Sequence, residues 1–316
     1  MDATYDVAVV GGGAAGLSGG LALGRARRSV LVVDASDPRK APAGHVHNYL
    51  GREGTPPGEL LAIGRAEVAQ YGVHVENGTV TKASATERGF TVQLEDGREV
   101  RARRLLVTTG LTDELSDLPG LAQGWGRNVL HCPYCHGWEV RDQPLGILGS
   151  GPFGVHQALL FRQWTTDLTF FLHTAPALTA DEREQLDARG ITVVEGPVAA
   201  WEDGGVRMLS GALVFRAALV VSPVFTARAA VLESLGLRTT PVEMAGHVIG
   251  TQVPSDPTGL TDVPGVWVAG NVADVRAQVI GSAAAGLTAG AAINADLIAE
   301  ETRLAVERAR VFGEAG

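Results

Sequence analysis

Cys132 and Cys135 are the only thiols in the chain, and they lie in one run, His131-Cys132-Pro133-Tyr134-Cys135-His136. A C-x-x-C pair reads as a redox dithiol or as half a metal site. No second cysteine pair completes a four-thiolate site, and His131 and His136 are too close in sequence to close a tetrahedron easily round one ion, so no metal is expected. With no other thiol available, the two can pair only with each other or with something that visits. A purely structural disulfide across two residues would stabilise little by loop closure. The chemistry that suits them is two-electron exchange. His136 is the candidate base, because a near-neutral imidazole can take a thiol proton and only the thiolate attacks. A helix-end or core histidine is the competing reading, and it competes more strongly still for His131. Tyr134 and Trp138 either line a pocket for a small apolar dithiol or simply pack. His45 and His47 sit in a loop that either borders the substrate entrance or is solvated.

The surrounding elements repeat one plan. Tyr5-Asp6-Val7-Ala8-Val9-Val10 is an apolar, β-rich run expected to be a strand buried on both faces. Gly11-Gly12-Gly13-Ala14-Ala15-Gly16 follows as G-x-G-x-x-G and opens a small-residue helix through Arg28. Ser29-Val30-Leu31-Val32-Val33 is the second strand, ending on Asp34. Strand, glycine loop, helix and strand, with an acid about 20 residues after the loop, make a dinucleotide-binding unit. Gly11, Gly13 and Gly16 let the backbone approach a pyrophosphate at the helix N-terminus, where unpaired N–H groups favour an anion. Asp34 would accept hydrogen bonds from a ribose. A helix around residues 58–71 and a hairpin turning at Glu95-Asp96-Gly97 follow, then a strand, residues 105–109, that runs into a turn at Gly110. The plan then recurs as a strand at 145–148, a second fingerprint Gly149-Ser150-Gly151-Pro152-Phe153-Gly154, and a strand at 168–172. A meander closes at 218–223. The last quarter holds a strand and turn, residues 265–271, and a long Ala/Gly helix from about Gln278.

Composition narrows the class. The 316 residues, 45% apolar with 41 glycines, have room for about two domains. A net charge of −9 and the absence of a Lys/Arg block argue against nucleic acid as a partner. No charged leader precedes the first strand, and the apolar stretch 8–24 carries seven glycines, so neither a secretory signal nor a membrane span is expected. Two thiols unsuited to a structural framework fit a reducing, cytoplasmic location.

The protein resembles the low-molecular-weight thioredoxin reductase family of flavoproteins over essentially its full length. The resemblance rests on the Gly11–Gly16 finger, the Thr108-Thr109-Gly110 turn, the Cys132–Cys135 motif near the middle of the sequence, and the run Val263-Pro264-Gly265-Val266-Trp267-Val268-Ala269-Gly270-Asn271. It implies an α/β fold of two Rossmann-like dinucleotide-binding domains of the three-layer ββα type, the second inserted into the first. The FAD-binding domain would comprise 1–112 and 246–316, and the inserted NAD(P)H-like domain 113–245, with crossings near 113–119 and 244–247. It further implies non-covalent FAD, a homodimer, Cys135 as the flavin-side sulfur and Cys132 as the exchanging one. Asn48 would lie near the flavin, and Gln278 and Val279 at the helix N-terminus facing its pyrimidine oxygen. Ala14, Ala15, Thr109, Gly110, Gly270 and Asn271 complete the cofactor set. Asn271 stands where relatives usually carry Asp.

Two departures from the family carry functional weight. Family reductases select NADPH with a basic cluster after the second strand of the inserted domain. Here that strand continues Leu172-His173-Thr174-Ala175-Pro176, with no Arg or Lys from 163 to 182 and no strand-end acid for NAD. NADPH is therefore not expected to be used, a weakly binding degenerate site being the alternative. The redox run also differs, because His136 replaces the acid that usually follows the second cysteine. The run through Gly137-Trp138-Glu139 resembles the dithiol oxidases that close the disulfides of holomycin, gliotoxin and related natural products, most nearly the bacterial holomycin type. Those enzymes pass electrons from a small-molecule dithiol through FAD to O2. A thioredoxin reductase with NADPH or another electron donor is the alternative, and a flavin-holding sensor with a regulatory C-x-x-C is a third.

Overall fold

The computed structural model describes residues 4–202 and 204–313, so the ends of the expected FAD-binding domain, 1–3 and 314–316, lie outside it. β1 (Thr4–Val10) pairs in parallel with β2 (Val30–Asp34), and α1 (Ala14–Arg25) crosses between them. Val7 to Val10 and Val30 to Val33 are buried, as runs of apolar, mostly β-branched residues must be when a sheet is covered on both faces. The sharp β1–α1 turn requires glycine at Gly11. Its φ is +105°, and a Cβ there would lie 2.6 Å from the Thr108 carbonyl oxygen. α1 stops short of the expected Arg28: Arg27 takes a left-handed φ of 64°, and the Arg28 N–H returns to the Leu23 carbonyl at 3.1 Å.

After α2 (Pro57–Ala69), strands β3 (His74–Asn77), β4 (Val80–Thr86), β5 (Gly89–Leu94) and β6 (Glu99–Val107) complete a sheet ordered β3-β2-β1-β6-β5-β4. β6 serves two roles along its length. Its first half pairs antiparallel with β5 across the expected Glu95–Gly97 turn, and the whole strand runs parallel to β1. β7 (Leu111–Glu114) leads out of this unit.

The second unit holds α3 (Leu121–Gly124), β8 (Val129–Leu130), α4 (Pro133–His136), β9 (Leu145–Leu148), α5 (Gly154–Phe161), β10 (Leu168–Phe171), α6 (Ala180–Ala188) and β11 (Thr192–Val194). β12 (Val198–Glu202), β13 (Gly205–Met208) and β14 (Leu213–Phe215) form a small antiparallel sheet. β15 (Ala218–Val220) then joins a parallel sheet ordered β11-β10-β9-β15-β8. Phe161, Phe170, Ile147 and Leu186 are buried together at its core, each contributing roughly 1.5–3 kcal/mol from leaving water.

The backbone re-enters the first unit through β16 (Val224–Ala227), α7 (Ala230–Glu233), β17 (Thr240–Met244) and β18 (His247–Gln252), in a sheet ordered β17-β18-β16-β7. The expected second crossing at 244–247 falls within this sheet. That stretch is the β17–β18 hairpin, and Ala227, Val231, Leu232 and Leu237 already pack in one cluster with Ala8, Val10 and Val107. Pro223 with its polar neighbour resembled a strand end rather than a hinge, which hid the boundary. We propose that the inserted domain ends with β15.

β19 (Val266–Val268) adds in parallel to β6, and α8 (Val279–Gly313) closes the fold along α1. Small residues allow that approach: a Cβ on Gly286 would lie 2.0 Å from the Ala15 carbonyl oxygen. α8 is long and apolar enough to cross a membrane by length and composition, but Ala289, Ile293 and Leu297 are buried in the core shared with α1 and β2. Its far end is tied to β6 by Arg103 and Arg104, which pair with Glu300, Glu301 and Asp296.

Candidate active site

A cavity of about 880 Å³ opens where the first fingerprint turns, within the roughly 300–1,000 Å³ of typical ligand sites. Gly11, Gly13, Ala14, Ala15 and Asp34 line one side, Thr109 and Gly110 another, and Gly270, Asn271 and Val279 a third. The glycines differ in what they do. A Cβ on Gly16 would lie 1.9 Å from the Gly11 carbonyl oxygen, so Gly16 serves packing and does not line the cavity. A Cβ on Gly13 would meet nothing within 4 Å. Gly13 is therefore small for the sake of something that fills the cavity, which is the cradle a pyrophosphate needs. Asp34 Oδ1 accepts from the Gly12 N–H at 3.1 Å, and Oδ2 stays at the rim 3.6 Å from Arg65. These residues fit FAD.

Asn271 has a role that aspartate could not fill. Its amide nitrogen donates to the Asp274 and Ala277 carbonyls, both at 2.9 Å, and its Oδ1 accepts from Arg39 at 3.0 Å. A carboxylate would leave both carbonyls without that donor. Gln278 lies outside the cavity lining, its carbonyl accepting from the Ser282 N–H inside the first turn of α8. Asn48 is likewise not on the cavity wall. With φ of 59°, it reaches the redox run instead, donating to the Tyr134 carbonyl at 2.5 Å.

The redox run forms one short helix. Cys132 caps α4 in extended conformation, and the N–H groups of Cys135 and His136 both donate to its carbonyl at 3.2 Å. Both cysteines are free thiols. A hydrogen bond from the Cys132 thiol, with Lys40, Arg39 and His47 nearby, pulls Cys135 down against the opposing effect of burial. The same bond and burial push Cys132 up. In the reduced pair, these effects favour the thiolate on Cys135.

A second cavity, about 70 Å³, lies over Cys132. Cys132, His131 and His136 line it together with Arg39, Lys40, Asp113 and Trp125. Arg39 and Lys40 line the larger cavity as well and join the two. His131 Nδ1 sits 3.0 Å from the Val221 carbonyl oxygen and its ring packs edge-on to Phe225, so that nitrogen carries the proton. Both ring nitrogens of His136 are buried and have no hydrogen-bond partner. Burial, followed by the charges of Lys40, His47 and His131, pushes its imidazole down to about 4. His136 is then neutral throughout the physiological range with a free lone pair.

His136→Ala should slow thiol attack roughly 10²-fold at pH 7, the lower end for a positioned base because its basicity is depressed. The rate should partly recover at alkaline pH, where the substrate ionises unaided. Because the imidazole stays neutral down to about 4, wild-type flavin reduction followed by stopped flow should show no inflection near 6.5. An unchanged mutant rate at pH 7 would make His136 structural and leave His131 as the base.

Other expected residues are placed differently. Tyr134 and Trp138 are exposed and line neither cavity; Arg141 stacks over Trp138 at 4.0 Å and Tyr134 meets Trp164 edge-on. His47 is not a solvated loop residue. It contacts Glu53 at 2.6 Å and Glu139 at 3.4 Å, fastening its loop to the redox segment. His45 is exposed, its ring centroid 6.0 Å from that of His47. Arg39, Lys40 and Trp125 were missed. The adjacent Arg39-Lys40 pair after β2 was the available signal.

At the second fingerprint, the end of β10 is folded in on itself. His173, at φ 46°, accepts the Val198 N–H at 3.0 Å, and the Thr174 and Ala175 N–H groups both donate to the Gly149 carbonyl. No cationic side chain follows the strand before Arg183, which reaches Glu195 at 2.9 Å.

Comparison with known proteins gives a consistent set. Residues 5–290 match the pyridine nucleotide-disulphide oxidoreductase family. A thioredoxin reductase, sirT, of Leptosphaeria maculans is 30% identical over 312 residues, 92% of this chain and 93% of that protein. A probable thioredoxin reductase of Arthroderma benhamiae is 38% identical over 152 residues, 46% of this chain but only 38% of that protein. Among solved structures, HlmI superposes with a TM-score of 0.89 at 42% identity, covering 99% of this chain and 98% of its own.

Proposed function

Because the chain belongs to the pyridine nucleotide-disulphide oxidoreductase family and is thus an FAD-binding flavoprotein oxidoreductase, we propose that it oxidises a small-molecule dithiol to an intramolecular disulfide, with O2 as the final acceptor. The observation that carries this reading is the small cavity shared by Cys132 and the unpartnered imidazole of His136. A thiol entering there meets an electrophilic sulfur and a base together. Gly11, Gly13, Asp34, Thr109, Gly110, Gly270 and Asn271 would hold FAD, which would supply the two-electron acceptor for the dithiol and the route to O2 and peroxide.

The protein's own residues perform the sulfur chemistry. In the oxidised enzyme, a substrate thiolate attacks Cys132 Sγ. The Cys132–Cys135 bond breaks, and its electron pair leaves on Cys135, whose surroundings favour the thiolate. His136 takes the proton of the second substrate thiol, which displaces Cys132 and closes the product disulfide. The substrate loses two electrons and two protons, and the cysteine pair gains the electrons. Asn48 and His47 hold the motif in place from the neighbouring loop.

Direction follows from the electron source rather than from the fold. The closed turn after β10 and its lack of a selector support the loss of NADPH as donor. Resemblance of the run to natural-product dithiol oxidases supports an epidithio- or dithiolopyrrolone-type product, made in the cytoplasm by a homodimer. The open space at Gly151, where a Cβ would meet nothing within 4 Å, favours a second reading, a nicotinamide-fed thioredoxin-type reductase. Oxygen uptake separates them: a small dithiol alone should sustain it, with one peroxide per disulfide. Turnover that requires NADPH would establish the reductase.

A further inference from the structure

The two cations joining the cavities are not equivalent. Arg39 is fully engaged, holding Asp113 through two nitrogens at 2.8 and 2.5 Å and Asn271 through a third at 3.0 Å. The Asp113 charge is thereby neutralised. The ammonium of Lys40 makes no hydrogen bond or ion pair among the described residues, although it lines both cavities. It is one of only two lysines in the sequence. The rest of the small cavity carries no free charge: Pro42, Ala43, Val129, Leu130 and Trp125 wall it with His131, Cys132 and the neutral His136, and Asp113 is held by Arg39.

One unpaired cation in a small chamber whose other groups are neutral or paired selects its ligand. A phosphate or another multiply charged, strongly hydrated anion would lose more solvation there than one ammonium restores. A soft monovalent anion loses least. The anion must also sit beside Cys132, which lines the same chamber. We propose that this chamber is an anion subsite in which Lys40 holds the substrate's first sulfur as a thiolate against Cys132, leaving His136 to the second thiol. The assignment to a substrate sulfur rests on the dithiol oxidase reading. In the step, a bond forms between that sulfur and Cys132, the Cys132–Cys135 bond breaks, and the electron pair departs on Cys135.

The test uses the holoenzyme, its Lys40→Met and Lys40→Arg variants, dithiothreitol as substrate and thiocyanate as a soft monovalent probe. Lys40→Met should raise KM for dithiothreitol about tenfold or more with kcat little changed, as expected for one charge-assisted contact to the bound thiolate. Thiocyanate should compete with dithiothreitol in wild type and Lys40→Arg but not in Lys40→Met, at equal FAD content. Independently of turnover, thiocyanate should slow iodoacetamide labelling of the reduced cysteine pair in wild type and fail to do so in Lys40→Met. Equal protection in wild type and Lys40→Met, or none in wild type, overturns the subsite. Lysine-dependent protection without any dithiothreitol oxidation upholds the anion subsite and overturns the dithiol oxidase reading instead.

Discussion

Cys132→Ser and Cys135→Ser should each lower dithiol oxidation by roughly 10³-fold or more while leaving FAD bound, because a hydroxyl cannot form the mixed disulfide on which exchange depends. The two variants should differ in colour. Cys132 faces the small cavity, whereas Cys135 lies outside its lining and is the sulfur favoured as thiolate. With Cys132 replaced, the serine hydroxyl can still donate to the Cys135 sulfur and help keep it ionised. With Cys135 as the flavin-side sulfur that we propose, a long-wavelength absorbance band from that thiolate against bound FAD is expected in Cys132→Ser. Finding the band only in Cys135→Ser would reverse the assignment of the sulfurs, and wild-type turnover in either variant would remove the motif from the mechanism.

Gly13→Val should give folded, colourless protein. Gly13 has an extended backbone, φ −75° and ψ −173°, which valine adopts readily, and a Cβ there meets no protein atom. The added methyls enter only the space a pyrophosphate would take. Far-UV circular dichroism should therefore match wild type while flavin absorbance is lost. A ligand present at 1,000 times its Kd stabilises by about 4 kcal/mol, so added FAD should raise the wild-type Tm and leave the variant unmoved. Gly11→Val is the contrasting control: with φ +105° and the Thr108 carbonyl 2.6 Å from the new carbon, it should fail to fold. A yellow, fully loaded Gly13→Val protein would displace the cofactor from this cavity.

What was legible in the sequence was whatever local pattern determines. The β1–α1–β2 unit, the Glu95–Gly97 hairpin and the start of α8 depend on periodicity and turn chemistry, and they lie within a few residues of their expected positions. The redox histidines were legible because they flank the cysteines. Long-range hydrogen bonds were not. No local pattern announces that the Asn48 amide donates to the Tyr134 carbonyl, 86 residues away. Nothing near Asn271 in sequence announces that Arg39 reaches it from 232 residues upstream. The crossing that we propose, after β15, was not legible because β16 pairs with β7, a pairing that no local pattern encodes.

The most direct test of the central claim is anaerobic reduction of the bound flavin, followed at its visible absorbance in the holoenzyme. A small dithiol such as dithiothreitol should bleach it within seconds, NADPH at micromolar concentrations should not, and admitting oxygen should restore the colour with formation of peroxide. Rapid, saturable bleaching by NADPH, with the dithiol inert, would contradict the dithiol oxidase assignment and make the protein a nicotinamide-fed reductase.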